Sequence, residues 1–245
     1  MDDLNLRADI AARYQPFLDE ILASRRDAIH SIYIVGSALT VDFDPKVSDI
    51  NSVIVLHKMD LQFLGFLAPL GKKYGKKRVA APLIMTPAYI DQSLDVFPIE
   101  FLNIKLLHDT LFGDDIFRDP DIKKSDLRQA CERELKVKLI GLRQGYISAR
   151  GNRKILARDF AASFAGYMPL FKAILVLLGK TAPQNNQALL NALTEATTVD
   201  TTVFHQVLKQ KKEGLQPSIQ QMNTIFEDYY TAVEKLGKTI DALEV

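Results

Sequence analysis

Apolar residues recur at helical spacing from the start of the chain. Leu6, Ile10, Tyr14, Phe17, Leu18, Ile21 and Leu22 fall on one stripe. The spacing predicts a helix, kinked or split at Pro16. The pattern then switches. Ile29-His30-Ser31-Ile32-Tyr33-Ile34-Val35 is β-branched and aromatic and reads as a strand. Gly36-Ser37 stops it. The stretch from Asp42 to Ser48 carries Asp, Pro and Ser and reads as a loop. Ile50 to Leu56 is a second strand. Asp60 caps a helix running to about Tyr74. Leu83-Ile84-Met85 is a short strand. Phe97 to Leu107, with Ile99, Phe101, Leu102, Ile104 and Leu106, reads as another.

The character changes near Asp119-Pro120, and every later segment is helical. Leu127, Cys131, Leu135, Leu139, Leu142 and Tyr146 form one apolar stripe. A second helix spans roughly Arg153 to Leu178, with Gly179 as its terminator. Shorter helices follow at Asn186–Ala196 and Thr201–Lys212, and a last one runs from about Ser218 to Leu243. The fold class is therefore α+β. Residues 1–120 form a mixed sheet with flanking helices, and residues 121–245 form an all-α bundle.

Composition narrows the classes. The chain has 245 residues, 47% hydrophobic and 25% charged, an ordinary globular balance. Its formal net charge of +1 argues against a dedicated nucleic-acid binder. The single cysteine, Cys131, excludes an intrachain disulfide and a cysteine metal cluster. No apolar run reaches the roughly 18 residues that span a bilayer. Met1-Asp2-Asp3 is acidic where a signal peptide is basic, so a cytoplasmic location is expected.

Chemistry concentrates in three places. A strand ending in Gly36-Ser37 lets backbone and a hydroxyl approach an anion closely, and a helix starting there would point N–H groups at a phosphate. In Ser48-Asp49-Ile50-Asn51, alternation puts Asp49 and Asn51 on one face of a strand. Glu100, on the strand read from Phe97, can sit beside them. Two acids and an amide oxygen beside a phosphate cradle are a site for Mg²⁺ and a nucleoside triphosphate.

This pattern resembles the nucleotidyltransferase superfamily, the DNA polymerase β-like fold, over roughly residues 28 to 107. The family signature is a strand, Gly-Ser, about ten residues, Asp-x-Asp on the next strand and a third carboxylate on a later one. Gly36 and Ser37 match the turn, Asp49 the first metal carboxylate and Glu100 the third. Asn51 stands where the second should be, and brings no charge. The helical half resembles the substrate-side domain of aminoglycoside and minimal nucleotidyltransferases. The resemblance implies transfer of a nucleoside monophosphate, above all AMP from ATP, to the hydroxyl of a small molecule or a protein, with Mg²⁺ held by Asp49, Asn51 and Glu100. It implies Gly36, Ser37 and Ser48 as nucleotide contacts, with the acceptor between the two domains.

Residues 123 to 159 carry eleven Lys or Arg against four Asp or Glu. Two readings stand. The helix is a solvated face with i,i+4 pairs such as Glu132–Lys136, or it faces the cleft. In the second, Arg128 and its neighbours bind the triphosphate, and Glu132 or Glu134 acts as general base, as the resemblance implies. Lys72, Lys73, Lys76, Lys77 and Arg78 read as a solvated helix end. Gly65 to Lys73 fails as a Walker A loop, because no Ser or Thr follows Lys72. The four histidines show no ligand spacing. Two rivals to the transferase remain: a binding module in which Asn51 marks a decayed site, and an enzyme extending RNA ends.

Overall fold

The computed structural model describes residues 6–213 and 218–245, apart from the side chains of 161–163, 165, 211 and 212. The acidic Met1-Asp2-Asp3 start lies outside the described residues. The chain divides into two compact units. The first is Met1–Leu94 with Phe101–Asp121, and the second is Asp95–Glu100 with Ile122–Val245.

In the first unit, α1 (Ala8–Arg25) buries Ile10, Tyr14, Phe17, Leu18 and Ile21, the stripe the spacing predicts. It continues through Pro16, whose carbonyl accepts the Tyr74 hydroxyl at 2.9 Å. Strands β1 (Ile29–Val35) and β2 (Asn51–Leu56) pair antiparallel. Strand β3 (Leu83–Met85) adds parallel to β2, and β4 (His108–Gly113) adds antiparallel to β1, giving the order β3-β2-β1-β4. Central position explains the composition of β1, because a strand covered on both faces reads as a continuous apolar run. One face, with Ile32, Ile34, Ile54 and Leu56, packs in one cluster with Ile10, Phe17 and Ile21 of α1 and with Phe63, Leu67 and Leu70 of α2 (Leu61–Gly75). Asp60 caps α2 by accepting the Gln62 N–H at 2.8 Å. On the other face Tyr33 packs edge-on against Phe117 at 4.9 Å. Its hydroxyl donates to the Asp114 carbonyl and accepts the Ile116 N–H, pinning residues 114–117 to the sheet.

The strand expected at Phe97–Leu107 is instead a helix, α4 (Pro98–Leu106), which follows a five-residue helix, α3 (Pro87–Asp91). The edge strand begins only at His108. Ile99, Phe101, Leu102 and Ile104 are all buried, without alternation. An apolar run covered on several sides carries no period that separates strand from helix. The opening Pro98, with its fixed φ and missing N–H, favours a first helical turn.

In the second unit, α5 (Lys124–Ala149) buries Leu127, Cys131, Leu135 and Leu142 of the expected stripe, while Leu139 is partly covered and Tyr146 is exposed. The single helix expected over 153–178 is two, α6 (Arg153–Ala165) and α7 (Met168–Leu177), broken where Gly166 precedes Pro169. Nearly every side chain of α7 is buried. Gly179, at φ +69°, closes it as expected, with Lys180 N–H donating to the Leu175 carbonyl at 2.8 Å. Helices α8 (Asn186–Thr197), α9 (Thr202–Glu213) and α10 (Ile219–Asp241) complete the unit. Ser218 and Gln221 form a reciprocal capping box at the start of α10. No helix among the described residues is long and apolar enough to cross a membrane.

Cys131 is fully buried, and burial pushes its thiol up to about 12, with the nearby Glu134 charge adding to the effect. Reaction requires thiolate. Folded protein at about pH 8 should therefore leave a disulfide reagent unconsumed, and denatured protein should react with one equivalent. Rapid labelling before unfolding would contradict the packing of α5.

Candidate functional site at one end of the sheet

The register of β1 assembles the candidate site. Val35, its last residue, pairs with Asn51 on β2 and with His108 on β4. Directly paired residues share a face, so Asn51 and His108 flank Val35 at the end where the chain turns away. That turn is Gly36-Ser37. Gly36 sits at φ +76°, where only glycine is unstrained, and a Cβ there would meet nothing within 4 Å. The space above the turn is thus open. What starts here is a four-residue 3-10 turn, Gly36–Leu39, not an α-helix. The Gly36 N–H donates to the Leu107 carbonyl at 2.9 Å. The exposed Ser37 is the part of the turn that faces solvent.

Asp49 lies just before β2 rather than in it. Ile50 bridges to Val79 and is fully buried, while Asp49 and Asn51 on either side are exposed. The expected alternation therefore holds, and both side chains stand on the open side. Ser48 is engaged in its loop: its hydroxyl accepts the Asp44 N–H at 3.2 Å, and its own N–H donates to the Asp44 carbonyl at 2.8 Å.

One residue of this site went unassigned in the sequence. Arg78 donates to the Asp49 carboxylate at 3.2 Å and to the Val47 carbonyl at 3.1 Å. It holds a left-handed backbone at φ 61°, unusual outside glycine, where the chain leaves α2. Its N–H donates to the Gly75 carbonyl, and its carbonyl accepts the Ile50 N–H at 2.7 Å. The only signal in the sequence was its place at the end of the basic run after Gly75, which looked like a helix-end charge.

The remaining candidates belong to the second unit. Glu100 is exposed in the first turn of α4, a helix, which corrects its reading as a strand residue. Arg128 donates to Glu132 at 3.1 Å and to the Ile240 carbonyl at 3.2 Å, tying α5 to α10. Glu132 also binds Lys136. The Lys136 ammonium holds the Glu132 carboxyl below the usual carboxylate range, with Arg128 and Asp241 contributing, which makes it a weaker base.

These donors can be tested against the Mg²⁺ that the family resemblance implies. A two-ion site uses several hard oxygens bearing enough negative charge to offset the cations. At this end of the sheet Asp49 is already paired with Arg78, Asn51 is neutral, and Val79 to Thr86 beside β2 contains no acid. Among the described residues no three His, Cys, Asp or Glu side chains are grouped to hold a metal ion. The residues do not fit a two-ion centre.

The sheet with α1 and α2 and the helical second unit make up a nucleotidyltransferase-like fold, as likeness to a solved structure shows. The chain is similar to the crystal structure of spectinomycin adenyltransferase AAD(9) from Enterococcus faecialis, solved with ATP and spectinomycin. The likeness spans 95% of this chain and 99% of that one, with a TM-score of 0.57 and 16% sequence identity. At that identity it speaks for the fold. No protein-family model and no curated protein matches the chain.

Proposed function

We propose that this protein is a nucleotide-binding module built on the nucleotidyltransferase fold. It takes a nucleoside triphosphate, ATP foremost, in the cytoplasm, at the open end of β1 and β2. The Ser37 hydroxyl and the Arg78 guanidinium are the groups that meet phosphate. The observation that carries this reading is the donor set: a neutral Asn51 opposite Val35, beside an Asp49 whose carboxylate accepts from the exposed Arg78 guanidinium. Such a site offers hydrogen bonds and a cation to phosphate, but little charge to a metal. A second reading, transfer of AMP to an acceptor hydroxyl, is favoured by the likeness to an adenyltransferase along 95% of the chain.

Titration calorimetry of ATP with and without Mg²⁺, on wild type and Asp49→Ala, separates the two. For the binding module, Mg²⁺ should change affinity by less than about tenfold. Asp49→Ala should bind at least as tightly as wild type, because removing the carboxylate releases the Arg78 cation and one repulsive charge. No pyrophosphate should appear. For the transferase, binding should need Mg²⁺, vanish in Asp49→Ala, and release pyrophosphate once an acceptor is supplied. Absence of ATP binding under every condition would remove both readings and leave the fold.

A further inference from the structure

The second unit contains a cavity of about 330 Å³ between α5 and the α6–α7 segment, lined among others by Lys138, Gly141, Gly145, Tyr146, Phe160 and Tyr167. Its size is at the low end of the range of small-molecule sites, about 300–1,000 Å³. Gly141 and Gly145 stand one turn apart on α5, and a Cβ on either would meet nothing within 4 Å. These glycines therefore do not serve close helix packing. Each costs a helix interior about 1 kcal/mol relative to alanine, and what they leave is room. Aromatic rings wall the space. Tyr167 is buried, with its ring edge-on to that of Tyr229 at 5.3 Å.

The lining holds one cation and one acid. Lys138 is half-buried with its ammonium 4.5 Å from the centre of the Tyr167 ring. It makes no ion pair among the described residues; Glu134, one turn away and 3.7 Å from Arg133, acts on it through space and partly offsets the effect of burial. Burial holds the Lys138 ammonium below the usual lysine range, so an anion there regains what desolvation takes away. The acid, Asp159, is 41% exposed and already paired with Arg158 at 3.0 Å. The cavity thus presents apolar and aromatic walls, with the half-buried Lys138 ammonium set against the Tyr167 ring and Asp159 held by Arg158 toward solvent.

We propose that this cavity binds a small planar aromatic monoanion, its ring between the aromatic side chains and the space left by Gly141 and Gly145, and its acid group on Lys138. All the residues lie in the second unit, so the site stands or falls independently of nucleotide binding. The test is titration calorimetry with 2-naphthoate and, as neutral control, 2-naphthylmethanol. The naphthoate should bind at least about tenfold more tightly than the alcohol, the advantage of one charge-assisted hydrogen bond. Lys138→Met should erase that preference and leave the alcohol unchanged. Gly141→Leu and Gly145→Leu should weaken both probes by about tenfold or more, with a thermal midpoint at or above that of wild type, since leucine is the better helix former. Failure of naphthoate to bind at millimolar concentration, equal affinity for the alcohol, or binding that survives both glycine substitutions would each overturn the proposal. If a leucine variant fails to fold, Lys138→Met still decides the matter.

Discussion

Gly113→Ala should cost this protein about 4 kcal/mol or more, enough to abolish a marginal fold. Gly113 ends β4 opposite Ser31 at φ +76°. An alanine Cβ there would lie 2.0 Å from the His30 carbonyl oxygen and 2.9 Å from the Ser31 Cα, both backbone atoms. Neither can yield easily, because β1 is the central strand, hydrogen-bonded to β2 on one side and β4 on the other. The left-handed backbone adds about 1 kcal/mol on its own. Gly36→Ala isolates that smaller share, since Gly36 has the same φ and open space above it. Chemical denaturation of the two variants should show Gly36→Ala shifted by about 1–2 kcal/mol and Gly113→Ala largely unfolded. Equal, small shifts would mean that β4 does not lie on β1 in this register.

Asn51→Asp should convert ATP binding from nearly indifferent to Mg²⁺ into clearly dependent on it. The substitution adds a second carboxylate two positions after Asp49, on the same side of β2, with the buried Ile50 between them. Without metal, the added charge repels the triphosphate. Two unit charges about 4 Å apart in water interact by about 1 kcal/mol, so ATP should bind several-fold more weakly. With Mg²⁺, the same charge faces a divalent ion at about twice that energy, and binding should tighten by about tenfold or more after Arg78 takes its share. The effect of the substitution thus changes sign with the metal. Calorimetry in EDTA and in Mg²⁺ reads both arms. An Asn51→Asp variant whose ATP affinity is the same in the two buffers would show that residue 51 does not face the triphosphate, and the proposed site would be wrong.

Much of this protein was legible as local pattern. Strands β1 and β2 announced themselves because β-branched runs are bounded by Gly36-Ser37 and by the Asp42–Ser48 loop. The stripes of α1 and α5 were readable because each helix buries one side. The Gly-Ser turn and the Asp49–Asn51 pair are short motifs whose spacing survives any tertiary arrangement. Segment 97–107 was misread because its apolar residues are covered on several sides, so no period remained to tell helix from strand. The break in the 153–178 helix was carried by Gly166 and Pro169, a weaker signal than the apolar residues running through it. What the chain's own order could not express were partners. Arg78 meets Asp49 across 29 positions because, three residues past the end of α2, its own left-handed backbone returns the chain to Ile50. Gly113 is needed because β4 lies against His30 and leaves the strand in a left-handed conformation. The cavity beside Lys138 exists only because α6 and Tyr167 pack across from two glycines of α5. Periodicity along a sequence records which side of an element is covered, since burial acts on each residue locally. Which groups meet is set by strand register and by the ends of helices, and those follow from long-range packing that no single segment contains.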